Sequence, residues 1–273
     1  MAFRARRPRL GQHFLHSSSI LDRIAREVGA RLGPSELVVE IGPGTGALTR
    51  RLLGLGRRLI AVEIDRRLAA GLRAEFAGEP RLEVMEDDIL EVDLERLIRE
   101  RTSGRAVVAG NLPYYITAPI LRLLFDSGDR ISQAVLLMQK EVAARVAARP
   151  GSRDYGYLSV LCQAHSRPER LLIVPPGAFR PAPQVASALV RLAIEPRFVE
   201  WNVGNREAFL HFLQLCFHQK RKTLLNNLQS RFGRERLAEL PEARLRAEQL
   251  SPERLAALWR CLSRSAPPES AGP

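Results

Sequence analysis

Leu37-Val38-Val39-Glu40-Ile41-Gly42-Pro43-Gly44-Thr45-Gly46 joins a short apolar run to a glycine-rich turn, and residues 47–53 continue with helical character. An apolar run of this kind reads as a strand buried on both faces, as in a parallel sheet. The glycines clear room for a ligand against the backbone, and the helix that follows offers free amides. A second strand, 58–64, carries Glu63 near its end, about twenty residues on, where a carboxylate can accept both hydroxyls of a ribose. A third strand, 81–85, leads to Asp87 and Asp88. Asp88 is placed to accept from an adenine amine, and Asp87 could do so instead. Gly42, Gly44 and Ala47 also satisfy G-x-G-x-x-A, so the turn alone leaves a dinucleotide site open.

Further along, Ala106-Val107-Val108-Ala109 reads as a fourth buried strand, and Gly110-Asn111-Leu112-Pro113-Tyr114-Tyr115 follows it. The proline keeps Leu112 extended and has no amide of its own. The chain thus leaves the carboxyl edge of the sheet as a hook bearing an amide side chain and two aromatic rings. In an open α/β sheet that edge is where ligands bind. Asn111 and the backbone oxygen of Leu112 or Pro113 can both accept hydrogen bonds from an exocyclic NH₂. That draws the nitrogen toward a tetrahedral shape and frees its lone pair to attack a methyl group. Tyr114 can stack on the base. Hydride transfer has no use for such a hook, and Glu40 can attract the ammonium of a methionine moiety. Together these features favour S-adenosylmethionine over a nicotinamide cofactor.

Helical segments alternate with these strands, and 134–138, 171–174 and 187–193 read as further strands. The alternation predicts an α/β fold with a doubly wound, Rossmann-like parallel sheet. Beyond Pro196 no strand pattern remains. Phe209, Phe212, Leu213 and Phe217 recur at helical spacing, as do Leu224, Leu225 and Leu228, then Leu255, Leu258 and Leu262. The predicted division is a methyltransferase-type domain over 1–198, with a basic N-terminal arm, and an all-helical domain over 199–273.

The net charge of +12 within 273 residues points to a polyanionic partner, most simply nucleic acid. Nearly all the cations are arginines, so a composition bias contributes. Arg4, Arg6, Arg7 and Arg9 precede no apolar core, so the start does not read as a secretory signal. No apolar run approaches the ~18–20 residues of a membrane span. Cys162, Cys216 and Cys261 are scattered and suit a reducing cytosol, and a cytoplasmic monomer is expected. His211, Cys216 and His218 are poorly spaced for a metal, and none is expected. The Lys220-Arg221-Lys222 run, with Arg4–Arg9, is the candidate phosphate-contacting surface.

Gln12-His13-Phe14-Leu15, the Glu40–Gly46 turn, Asn111-Leu112-Pro113-Tyr114 and the run from Val174 through Phe179-Arg180-Pro181 to Pro183, Val185 and Ser187 resemble the ribosomal RNA adenine dimethyltransferases. The likeness spans about residues 10–229 and is greatest to the small-subunit branch. It implies a Rossmann-like domain with a small helical domain. It also implies transfer of two methyls to N6 of each of two adjacent adenosines near the 3′ end of small-subunit rRNA, in a pre-30S-type particle during subunit biogenesis. By family position, His13, Leu15, Gly42, Glu63, Asp88 and Asn111 line the cofactor, and Tyr114 and Phe179 sandwich the flipped adenine. His13 stands where bacterial relatives usually carry Asn, and it can touch the cofactor by side chain or backbone. Two alternatives share the fold: a large-subunit rRNA adenine methylase and a non-enzymatic ribosome-assembly factor. Leu112 and the long helical tail argue against the first. Glu63, Asp88 and Asn111 argue against the second.

Overall fold

The computed structural model describes residues 13–263. The arginines of the N-terminal arm and Gln12 lie outside that range, as does most of the C-terminal tail. In chain order the elements are β1 (Phe14–Leu15), α1 (Ser18–Gly29), β2 (Leu37–Ile41), α2 (Ala47–Leu53), β3 (Leu59–Glu63), α3 (Arg66–Glu75), β4 (Leu82–Glu86), α4 (Leu94–Arg101), β5 (Ala106–Asn111), α5 (Thr117–Asp126), β6 (Ile131–Gln139), α6 (Lys140–Val146), α7 (Tyr157–His165), β7 (Ser166–Val174), β8 (Phe179–Arg180), β9 (Ser187–Ile194), α8 (Arg206–Cys216), α9 (Leu224–Phe232), α10 (Arg234–Ala238) and α11 (Pro252–Ser263).

Seven strands form one mixed sheet in the order β4-β3-β2-β5-β6-β9-β7, and the fold is α/β and Rossmann-like. The strands from β4 across to β6 pair in parallel. β2 and β3 are buried throughout, which is why each reads as an apolar run apart from a single site acid, Glu40 or Glu63. β4 lies at an edge, where Glu83 pairs with Arg58 and Arg101 and charges the rim against further strand addition. The expectation of an all-parallel sheet needs correction at β9, which runs antiparallel to β6. The Pro-rich link before β9 comes from β7, its other neighbour in the sheet, and contains no α-helix, whereas parallel neighbours would need a crossover of that kind.

A separate two-stranded pairing holds β1 antiparallel to β8, with Phe14 opposite Arg180 and Leu15 opposite Phe179. The His16 amide extends it, donating to the Ala178 carbonyl at 3.0 Å.

Two compact units divide the chain. One comprises 1–143 with 169–194, and the other comprises 144–168 with 195–273. Sequence pattern had grouped all of 1–198 together. Residues 144–168 go with the helical unit because Tyr155, Val160 and Ala164 bury themselves in the same apolar cluster as Phe209, Phe212 and Leu213. Within that unit the Tyr155 hydroxyl donates to the Leu250 carbonyl at 3.0 Å, and the Trp259 indole donates to the Val203 carbonyl at 2.8 Å. No helix among the described residues is long and apolar enough to cross a membrane.

Candidate functional site

A cavity of about 290 Å³ opens where the chain leaves the carboxyl ends of β2, β3, β4 and β5. Its walls are the glycine turn after β2, Glu63 and Ile64, the 87–90 segment, the hook from Asn111 to Ile116, and His13 to Leu15 of the N-terminal strap. Gly42 and Gly44 take φ of 64° and 60°, a region that side chains rarely enter. A Cβ on Gly44 would also meet the Phe14 ring at 3.0 Å, so the turn and the strap pack together only because residue 44 is glycine.

Glu63 ends β3 nearly buried, at 3% exposure. Burial raises its pKa, opposed by hydrogen bonds from the Asp65 and Gly44 amides. One carboxylate oxygen accepts from Gly44 at 3.0 Å and the other from Asp65 at 2.9 Å. Each oxygen keeps a second acceptor position, so the carboxylate is aimed and can still take two hydroxyls. Asp87 and Asp88 both line the cavity. Asp87 accepts the Asp88 amide at 2.8 Å, and Asp88 accepts the Leu90 amide at 3.1 Å. Those bonds stiffen the turn after β4.

Glu40 is the cavity's most perturbed acid. It is 1% exposed, and burial pushes its pKa to about 8, with a smaller push from the charge of Glu63. The Thr49 hydroxyl on α2 opposes this by donating to a Glu40 oxygen at 2.7 Å. Burial makes such a carboxyl hold its proton, and a neighbouring cation favours giving it up.

Gly110 lets the hook form. A Cβ there would lie 2.7 Å from the Ile41 carbonyl of β2, so any larger residue would push the two strands apart. Asn111 closes β5, and the Leu112 amide bonds the Leu137 carbonyl at 2.9 Å. Tyr114 to Ile116 then form a 3-10 turn, so the extended part of the hook ends at Pro113. The Asn111 amide nitrogen donates to the His13 carbonyl at 2.9 Å. A carbonyl can only accept, so this contact decides which way the amide points. Its NH₂ faces the strap, and its oxygen remains for a ligand's donor. The Tyr114 hydroxyl lies 2.9 Å from the Ser187 hydroxyl, and its ring stacks with the His13 ring at 6.0 Å between centroids and 27° between planes. The His13 Nδ1 is 2.7 Å from the Pro181 carbonyl, so the same argument puts the hydrogen on that nitrogen.

His13, Leu15, Gly42, Glu63, Asp88, Asn111 and Tyr114 therefore meet around one cavity. Phe179 does not join them. It sits in β8 at 2% exposure, packed in an apolar cluster with Leu15, Val174 and Ala178. Its neighbourhood of prolines and apolar residues makes that core placement intelligible. Ile64, Ile89, Leu90 and Thr49 were not singled out from the sequence. Ile64 and Ile89 come just after acids at or beyond strand ends, Glu63 and Asp88, a position that could have marked them. In the helical unit, Arg221 and Lys222 are exposed, whereas Lys220 is committed: its ammonium donates to the Arg153 carbonyl at 2.7 Å and lies 3.7 Å from Glu248. No cluster of three or more acidic, histidine or cysteine side chains suited to a metal occurs among the described residues.

A family model described as ribosomal RNA adenine dimethylase matches residues 3–258. The chain belongs to the ribosomal RNA adenine dimethylase family. Among curated relatives of this dimethylase, the ribosomal RNA small subunit methyltransferase A of Acidobacterium capsulatum is 48% identical, over 94% of this chain and 91% of its own length. The protein of the same name from Koribacter versatilis is 42% identical, over 93% and 94%. Among solved structures, a dimethyladenosine transferase from Plasmodium falciparum superposes with a TM-score of 0.76 at 26% identity, over 90% of this chain and 96% of that one. The 23S rRNA methyltransferase ErmE superposes with a TM-score of 0.70 at 28% identity, over 92% and 99%.

Proposed function

We propose that this dimethylase moves methyl groups from S-adenosylmethionine to N6 of two adjacent adenosines near the 3′ end of small-subunit rRNA. The Asn111 amide carries the reading: its NH₂ is tied to the His13 carbonyl at 2.9 Å, which leaves an oxygen acceptor at the mouth of a nucleoside-type cavity. The chain's resemblance to proteins named for the small subunit, at 48% and 42% identity, favours that subunit over the large one.

The residues fit the cofactor. Glu63 has two oxygens with spare acceptor capacity for a ribose, and Gly42 leaves open space where a Cβ would stand. Asp88, or Asp87 beside it, is at the strand edge for an adenine amine. Glu40 is a buried acid suited to an amino-acid ammonium. His13 and Leu15 would close the cavity from the strap. Bound there, S-adenosylmethionine supplies a methyl group already activated on a cationic sulfur.

The chain's own work is then positioning, which can contribute ~7–11 kcal/mol. Asn111 and the carbonyl of Leu112 or Pro113 accept from the adenine amine and turn its lone pair toward the methyl. Tyr114 stacks on the extruded base, where base–aromatic contact worth ~1–3 kcal/mol offsets much of the unstacking cost. Among the described residues no side chain is placed as a dedicated base, so the displaced proton passes to water. Phe179 can stack on the base's other face only by leaving its buried cluster, so Tyr114 is the better supported partner. Arg221 and Lys222 of the helical unit are the proposed phosphate contacts. A pre-30S particle in the cytoplasm is the proposed substrate, met by a monomer.

The test is transfer of tritiated methyl from S-adenosylmethionine to small subunits lacking these methyls, followed by nucleoside analysis. Label in N6,N6-dimethyladenosine near the small-subunit rRNA 3′ end is expected. Label confined to large subunits, or no label, would refute the reading.

A further inference from the structure

The hook is held at Tyr114 by a residue far off in sequence. Ser187 is the first residue of β9, fully buried, and paired in register with Gln139 at the end of β6. Its hydroxyl is 2.9 Å from the hydroxyl of Tyr114, across 73 residues of chain. A buried hydroxyl without a partner is costly, so this contact satisfies both groups. It also has a geometric consequence. A tyrosine ring swings about two side-chain bonds, and its hydroxyl is the point farthest from the backbone. Holding that end to a strand of the sheet fixes where the ring lies, because it stops the swing about the first side-chain bond. The oxygen sits on the axis of the second bond, so the plane of the ring is left to its neighbours. The His13 ring, stacked at 6.0 Å, limits that plane.

A phenylalanine at position 114 would stack on a base equally well but could not be held in this way. The hydroxyl therefore has a use that the stacking role alone does not explain. We propose that Ser187 is a positioning residue for methyl transfer, its hydroxyl holding the Tyr114 ring at the place where the target adenine stacks, while the His13 ring beside it limits the tilt. It touches neither base nor cofactor and acts only through Tyr114. The inference rests on the adenine-methylation reading given above.

The test is a double-mutant cycle on single-turnover methyl transfer to undermethylated small subunits, with RNA and cofactor affinities measured separately. Ser187→Ala and Tyr114→Phe each remove the same bond. Each should slow transfer about tenfold while leaving both affinities within about twofold, since a misaligned base still binds. Because Ser187 acts through the Tyr114 hydroxyl, the double variant should be no slower than the slower single variant. A purely structural role would instead lower the unfolding temperature and leave the transfer rate of folded protein unchanged. If Ser187→Ala fails to fold, Tyr114→Phe removes the bond from the half-buried end and carries the test alone. Either variant at wild-type rate, or losses that multiply in the double variant, would overturn the Ser187 inference and leave the functional reading standing. A wild-type protein that transfers no methyl would overturn both.

Discussion

Replacing Glu40 by Gln should change how stability depends on pH. The side chain is 1% exposed, and burial raises its pKa from 4.5 to about 8. Below pH 4.5 the carboxyl is protonated in both the folded and the unfolded chain, so it contributes no pH dependence. Between 4.5 and 8 the folded protein keeps a proton that the unfolded chain has lost. Stability then falls as pH rises, by about 1.4 kcal/mol per unit, reaching on the order of 3 kcal/mol by pH 7. Above the folded value both states are ionised and the loss stops growing. Gln keeps an oxygen to accept from Thr49 and carries no charge, so Glu40→Gln should be free of this penalty. Denaturant unfolding of both proteins at intervals from pH 5 to 8 measures it. The variant's advantage should widen steadily with pH. Cofactor binding supplies a second reading. An ammonium near Glu40 favours the ionised form, so binding near neutral pH should release a proton. Calorimetry in buffers of different ionisation enthalpy would detect that proton with the wild type and not with Glu40→Gln. A stability difference that is flat across the range would refute the assignment of a protonated, buried Glu40.

Gly110→Ala should lower stability by about 2 kcal/mol or more and reduce activity, because its Cβ would lie 2.7 Å from the Ile41 carbonyl just before Asn111. Thermal unfolding and methyl transfer check the two effects, and an unshifted melting curve would contradict the strand geometry. Arg221→Ala combined with Lys222→Ala should weaken RNA binding and flatten the log–log salt dependence by about 1.5, with cofactor affinity unchanged. An unaltered slope would remove that surface from the RNA contact. Tyr155→Phe should cost about 1 kcal/mol in the helical unit by leaving the buried Leu250 carbonyl without its donor at 3.0 Å. Denaturant titration followed by Trp201 and Trp259 fluorescence would show it.

Much of the sheet is legible in local sequence because its central parallel strands are buried on both faces. Val38-Val39 and Val107-Val108 announce themselves as apolar runs, and the polar residues that follow them, Glu40 and Asn111, mark the ligand edge. Features that depend on distant partners are not legible. Nothing near Ser187 reveals that β9 runs antiparallel to β6 or that its hydroxyl meets Tyr114. Nothing near Phe14 reveals that it pairs with Arg180, 166 residues away. The orientation of the Asn111 amide likewise depends on a main-chain carbonyl at His13, which no residue identity encodes. Phe179 shows the converse: a motif position names a residue but not its burial. Residues 144–168 join the helical unit through Tyr155, Val160 and Ala164, whose apolar character is plain but whose partners begin some fifty residues later.

The most direct test is Asn111→Ala in single-turnover methyl transfer to undermethylated small subunits, with RNA and cofactor affinities measured in parallel. If the amide oxygen holds the adenine amine toward the methyl donor, the rate should fall by about 100-fold or more, while both affinities change by less than about threefold. Transfer at the wild-type rate, or a loss confined to RNA binding, would contradict the account.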